Sequence, residues 1–153
     1  MPQDGSFATH SYSKGTTMID ATDAARQLKA GAERWRLKFP ELANCPVRDV
    51  LDRISDKWSV LIVIELATEP RRFGELRRSL KDISQRMLTQ SLRNLQESGL
   101  VHREVFPTNP PSVEYSLTPL GKSFLVPLSA LVRWADENHP AIREARDDFA
   151  RAA

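Results

Sequence analysis

The stretch from Ile83 to Leu100 constrains this chain most strongly. Its large apolar residues are Ile83, Met87, Leu88, Leu92, Leu95 and Leu100. They recur mostly at steps of three and four, the spacing of one helix face and not the alternation of a strand. Ser84 stands where its hydroxyl can accept from the unpaired N–H groups of a first turn, and Gly99 stands where helices end on a left-handed residue. The opposite face carries Gln85, Arg86, Thr89, Gln90 and Arg93, with no acid before Glu97. A solvated face usually mixes signs of charge. A cationic, amide-rich face supplies the side chains that reach phosphates and base edges in a major groove. The pattern therefore predicts a DNA-recognition helix, although taken alone it also fits an ordinary surface helix.

The chain on either side favours the first reading. Upstream, Phe73 to Leu80 reads as a short helix with Phe73, Leu76 and Leu80 inward and Arg71, Arg72, Arg77 and Arg78 outward. Two short helices joined by a tight connection, the second polar and cationic outward, form the helix-turn-helix pattern. Downstream, Leu100–Phe106 and Val113–Leu117 alternate as strands around the breaker-rich loop Pro107–Ser112. A β-hairpin is expected there, and a hairpin directly after a recognition helix is a wing. Before this core, Pro46 fits the first turn of a helix with the stripe Val47, Val50, Leu51 and Ile54. Asp56 fits the N-cap of a further helix from Lys57 to about Thr68, apolar nearly all round and expected at the buried centre.

The two ends read differently. Residues 1–19 are Gly/Ser/Thr-rich and are expected to be a disordered arm, with Met18 an alternative start. Residues 20–40 form an accessory helix whose weak stripe is Ala21, Ala24, Ala25, Leu28, Ala32, Trp35 and Phe39, with Asp20 or Thr22 as its cap. After the second strand, Thr118-Pro119 restarts a helix. Leu120, Phe124, Leu128, Leu131, Val132 and Ala135 form a long apolar stripe with Leu125 and Trp134 beside it, and Asn138-His-Pro140 is expected to end it. Little of a compact domain is left for this stripe to cover, so it marks an interface.

Charge is distributed unevenly. The whole chain of 153 residues carries only +2, but the segment Arg71–Arg103 holds eight Lys/Arg against three acids, and Asp136–Asp148 holds five acids against two arginines. The positive charge surrounds the predicted recognition helix. One cysteine excludes an internal disulfide framework and any multi-Cys zinc site. The histidines are scattered, and no Ser/His/Asp set or Gly-rich phosphate loop is present, so neither metal, cofactor nor enzymatic activity is expected. No apolar run is long enough for a membrane span and no secretory signal is visible, which makes the cytoplasm the default location.

The motifs Cys45-Pro-Val47, Lys57-Trp58, Arg72-Phe-Gly-Glu-Leu76, Ile83-Ser84, Leu88-Thr89, Leu92-Arg93, Leu95, Gly99-Leu-Val101, Pro111, Val113-Glu-Tyr115 and Leu117-Thr-Pro-Leu-Gly121 occur in that order. In them the chain resembles the HxlR-type (MarR-like) winged helix-turn-helix regulators of prokaryotes over about residues 45–136. Ser55-Asp56 departs from the small residues usual before Lys-Trp and is read as helix capping. Residues 1–40 fall outside the resemblance. The resemblance implies a mainly α fold with a small β-hairpin. A DNA-binding domain at 45–118 would be flanked by N- and C-terminal dimerisation helices, the latter at 119–150. It also implies a homodimer on a near-palindromic operator in double-stranded DNA.

Within that frame Gln85, Arg86, Thr89 and Gln90 are the base-contact candidates, with Arg86 suited to guanine and Gln90 to adenine. Arg77, Arg78, Ser84, Arg93, Arg103 and Asn109 are the backbone-contact candidates. The wing tip Thr108-Asn109 has no Lys or Arg, so Asn109 or backbone N–H groups would have to make its contact. The dimer-interface candidates are Leu120, Phe124, Leu128, Leu131, Val132 and Ala135.

Cys45 precedes Pro46 at a helix start, where the macrodipole favours a thiolate, and Arg48 and Arg53 are near in sequence. Some members of the resembled family use a cysteine at this position to sense oxidants or electrophiles, which makes Cys45 a redox candidate beside the plainer reading as a packing residue. Two other readings stay open: a ligand-responsive regulator with an effector pocket at the dimer interface, lined by Phe124 and Trp134, and a winged helix used for protein interaction.

Overall fold

The computed structural model describes residues 20–41 and 45–153. The expected disordered arm at 1–19 lies outside the described residues. The chain divides into two compact units at Cys45/Pro46.

In the first unit, α1 spans Ala21–Lys38, and Asp20 caps it by accepting from the Thr22 N–H at 3.2 Å. Only Gly31 of this helix is buried, while Leu28 and Leu37 are exposed.

The second unit holds α2 (Pro46–Ile54), α3 (Lys57–Glu65), β1 (Arg71–Arg72), α4 (Phe73–Ser79), α5 (Gln85–Glu97), β2 (Val101–Phe106), β3 (Ser112–Leu117) and α6 (Pro119–Ala152). It is mainly helical with one small antiparallel sheet in the order β1-β3-β2. The core joins Ile62 and Val63 of α3, Leu76 of α4, Leu88, Leu92 and Leu95 of α5, Val101, Tyr115 and Leu117 of the sheet, and Leu128 of α6. Each comes from the inward period of its element: three and four along the helices, two along the strands. The register places Val101 opposite Leu117, Arg103 opposite Tyr115 and Val105 opposite Val113, so the inward residues Val101, Tyr115 and Leu117 share one face of the sheet.

Several expectations need correction. The sheet has three strands, because Arg71 and Arg72 pair with Tyr115 and Glu114 in place of lying on the outer face of α4. A two-residue strand is too short to leave a period in the sequence. Helix α3 stops at Glu65, short of Thr68, with Leu66 as its C-cap. It is also not buried all round: Ser59, Ile62 and Val63 are inside, but Leu61 and Ile64 are exposed. Met87, read as inward, is 42% exposed on the flank of α5.

The chain does not break at Asn138–Pro140. A single helix of 34 residues, α6, runs through both Pro127 and Pro140. Each proline leaves the carbonyl four residues before it without a backbone donor. Those carbonyls belong to Ser123 and Asp136, both exposed, so water can satisfy them.

Candidate DNA interface

Helix α5 is held at both ends by its own sequence. Ser84 Oγ accepts from the Met87 N–H at 3.2 Å and caps the N-terminus. At the other end Gly99 takes φ +70°, its N–H donates to Gln96 O at 2.9 Å, and the Leu100 N–H donates to Leu95 O at 3.0 Å. That closure is the left-handed glycine stop. The chain then enters β2, and the Thr118 hydroxyl reaches back across the sheet to donate to Gly99 O at 2.6 Å. The same hydroxyl accepts from the Gly121 N–H at 3.0 Å and so caps α6. Gly121 lies so close to the Leu100 carbonyl that a Cβ there would come within 2.1 Å of its oxygen. The end of α5 and the start of α6 are thus locked together.

With Leu88, Ser91, Leu92 and Leu95 buried, α5 presents Gln85, Arg86, Thr89, Gln90 and Arg93 to solvent. These side chains differ in how they are held. Thr89 Oγ1 donates to Gln85 O at 2.9 Å, and Gln90 Nε2 donates to Asn94 Oδ1 at 2.9 Å. Arg93 pairs with Glu97 at 3.1 Å, both side chains being largely exposed. Such a pair is worth little and yields readily to a phosphate. Arg86 makes no ion pair among the described residues.

Helix α4 adds Arg77 and Arg78 in its last turn, both exposed and likewise without an ion pair among the described residues. Glu75, the one acid of α4, accepts from the Arg72 N–H at 2.6 Å and caps the helix. Arg71 pairs with Glu69 at 3.0 Å. Among the described residues the unpaired positive charge of this region is carried by Arg77, Arg78 and Arg86, together with Arg72, Lys81 and Arg103.

The wing is electrostatically different. Glu104 stands directly opposite Glu114 across β2 and β3. Asn109 is exposed at the tip, and Arg103 lies in the row of Tyr115 and Arg71. Arg72 of β1 stands on the other side of Glu114, so this row holds two acids and one cation.

Two further surfaces belong to this unit. Leu128 is 3% exposed and serves the core of the chain itself, whereas Leu120, Leu131, Val132 and Trp134 on α6 are open to solvent, as are Val50 and Leu51 on α2. Phe124 packs against the core and lines a cleft of about 530 Å³ between α2, the last turn of α5 and the start of α6. Trp134 does not line it. Cys45 is half-buried immediately before α2. Arg48 and Arg53, expected to act on its thiol, each face an aspartate of their own helix, Asp52 at 3.9 Å and Asp49 at 3.7 Å. Among the described residues no group of three or more His, Cys, Asp or Glu could hold a metal ion, and no helix is long and apolar enough to cross a membrane.

The HxlR-like helix-turn-helix family model matches residues 53–143, the segment that contains α4, α5 and the wing. The chain belongs to the HxlR-like helix-turn-helix family. Among its relatives is the uncharacterized HTH-type transcriptional regulator YtfH of Escherichia coli strain K12, 42% identical over 107 residues, covering 70% of this chain and 85% of that protein. A solved structure of ytfH from Salmonella typhimurium, a putative transcriptional regulator, is 40% identical with a TM-score of 0.63, covering 69% of this chain and 94% of that one. The redox regulator HypR in its oxidized form is 41% identical with a TM-score of 0.58, covering 61% of this chain and 97% of that one. Helix α1 lies outside the family match, as it lay outside the sequence motifs.

Asn94 was missed by the sequence reading as a partner of Gln90. The signal was present, since the two amides stand four residues apart on one helix, the spacing at which such side chains meet.

Proposed function

We propose that this helix-turn-helix protein regulates transcription as a homodimer, each copy placing α5 in a major groove of a near-palindromic operator. The observation that carries the reading is the outer face of α5. Five polar side chains without an acid occupy its first two and a half turns, and Arg86 among them makes no ion pair among the described residues. Gln85, Arg86, Thr89 and Gln90 meet base edges, while Arg77, Arg78, Ser84 and Arg93 meet phosphates. Arg103 and Asn109 contribute less, because the wing tip at Thr108–Asn109 carries no Lys or Arg to meet a phosphate. The exposed apolar residues Leu120, Leu131 and Val132, with Phe124 and Ala135 beside them, support α6 as the dimer face. Half-sites would then lie about one helical turn apart, roughly 34–36 Å.

A mobility-shift titration against the DNA upstream of the gene tests this directly. Sequence-preferring, salt-sensitive binding by a dimer is expected. Equal affinity for unrelated duplexes, or a monomer at binding concentrations, would sink the reading.

A second reading concerns control. Cys45 is the chain's one thiol, half-buried at a helix start, and the similar protein HypR is a redox regulator. In this reading diamide or a quinone takes Cys45 to an intersubunit disulfide or a thiol adduct and so changes operator affinity. Non-reducing gels run beside operator titrations test it, and unchanged affinity in the treated protein would end it. The cleft beside Phe124 supports an alternative control by a small molecule.

A further inference from the structure

Gln90 is tethered to its own helix. Its Nε2 donates to Asn94 Oδ1 one turn along α5. Asn94 is itself fixed in the best-anchored part of the helix: Ser91 and Leu95 are buried, and its carbonyl accepts from both the N–H and the hydroxyl of Ser98, at 3.1 and 2.8 Å. A primary amide has one acceptor oxygen and two N–H donors. With one donor given to Asn94, Gln90 keeps Oε1 and a second N–H. That acceptor and donor match the N6–H donor and N7 acceptor of adenine in the major groove. A glutamine already held in place also loses less rotamer freedom on meeting a base. Thr89 also suits an A·T pair. Its hydroxyl is committed to Gln85 O, which leaves its methyl for a base, and the C5-methyl of thymine is the match.

We propose that Asn94 is a positioning residue of α5, holding Gln90 for adenine so that the helix selects an A·T pair in one orientation. The proposal rests on the reading of α5 as the base-contacting helix. Its bland rival is that the amide pair only braces the helix, as pairs at this spacing do.

The test uses the full-length protein and a randomised duplex pool. Preferred duplexes are enriched, and affinities are measured for the best one and each of its single-base-pair variants. One A·T pair per half-site should cost about tenfold or more when replaced, and Gln90→Ala should erase that preference. Asn94→Ala should cut the same preference about three- to tenfold while preferences at other positions hold within about twofold. Asn94→Asp keeps an acceptor at Oδ and should restore the preference, although its charge weakens binding to all duplexes alike. In the wild type, 7-deazaadenine at that position should reproduce the loss. Full discrimination by Asn94→Ala overturns the proposal and leaves a helix brace, as does an enriched duplex with no A·T pair that depends on Gln90. A pool that enriches nothing removes the base-contacting role of α5, and the proposal falls with it; enrichment therefore distinguishes the two failures.

Discussion

Arg86 and Arg78 are both exposed and cationic and make no ion pair among the described residues, yet they should fail in different ways. Arg86 sits in the first turn of α5, where a fork of donors can meet the O6 and N7 of guanine. Its replacement by alanine should cost about 1–3 kcal/mol and relax preference at one base step. Arg78 lies in the last turn of α4, off the proposed recognition helix, and is proposed as a phosphate contact. Its replacement should weaken binding to every sequence alike and make the salt dependence shallower. Titrations against operator variants at two salt concentrations separate the cases, and identical losses on all sequences for both variants would refute the assignment of Arg86. The cap residue Ser84 has a third signature. Ser84→Ala should lower stability by about 1 kcal/mol, the worth of an N-cap, and a urea melt without DNA reads that loss independently of any phosphate contact.

At the scale of elements, the joint between α5 and α6 leaves no space for a side chain at Gly121. A methyl group at Gly121 has no room beside the Leu100 carbonyl, and because that neighbour is backbone it cannot rotate away. Gly121→Ala should therefore destabilise by about 1–3 kcal/mol, the usual range for overpacking. Thermal unfolding would show it, and an unchanged melting temperature would mean the joint has slack. The sequence disclosed elements wherever one period ran long enough. Ile83, Leu88, Leu92 and Leu95 announced α5, and the alternation of Val113, Tyr115 and Leu117 announced β3. It was silent where an element is shorter than its own period, as with Arg71–Arg72. It misled at Pro140, because a proline marks a lost hydrogen bond but not whether solvent stands ready to replace it. The base-contact candidates were legible as exposed polar positions, whereas their tethers (Thr89 to Gln85, Gln90 to Asn94) depend on rotamers that spacing alone does not fix.

For the whole molecule, the exposed apolar residues decide what assembly to expect. Leu131 and Val132 lie beyond the last core residue of α6, Leu128, so a charge there should leave the protomer folded while breaking a dimer. Leu131→Glu should shift sedimentation toward the monomer with little change in circular dichroism, and operator affinity should fall with it, since two half-sites would no longer be bound together. A dimer that survives this change would move the interface elsewhere, α2 with its open Val50 and Leu51 being the next face to test. The lock at Leu100, Thr118 and Gly121 has a mechanical consequence for such a dimer. If α6 pairs with its copy, the crossing angle of the two long helices and the distance between the two recognition helices cannot vary independently. The protein would then act as a fixed caliper on DNA, and insertion of one base pair between half-sites should be resisted more strongly than the loss of any one base contact.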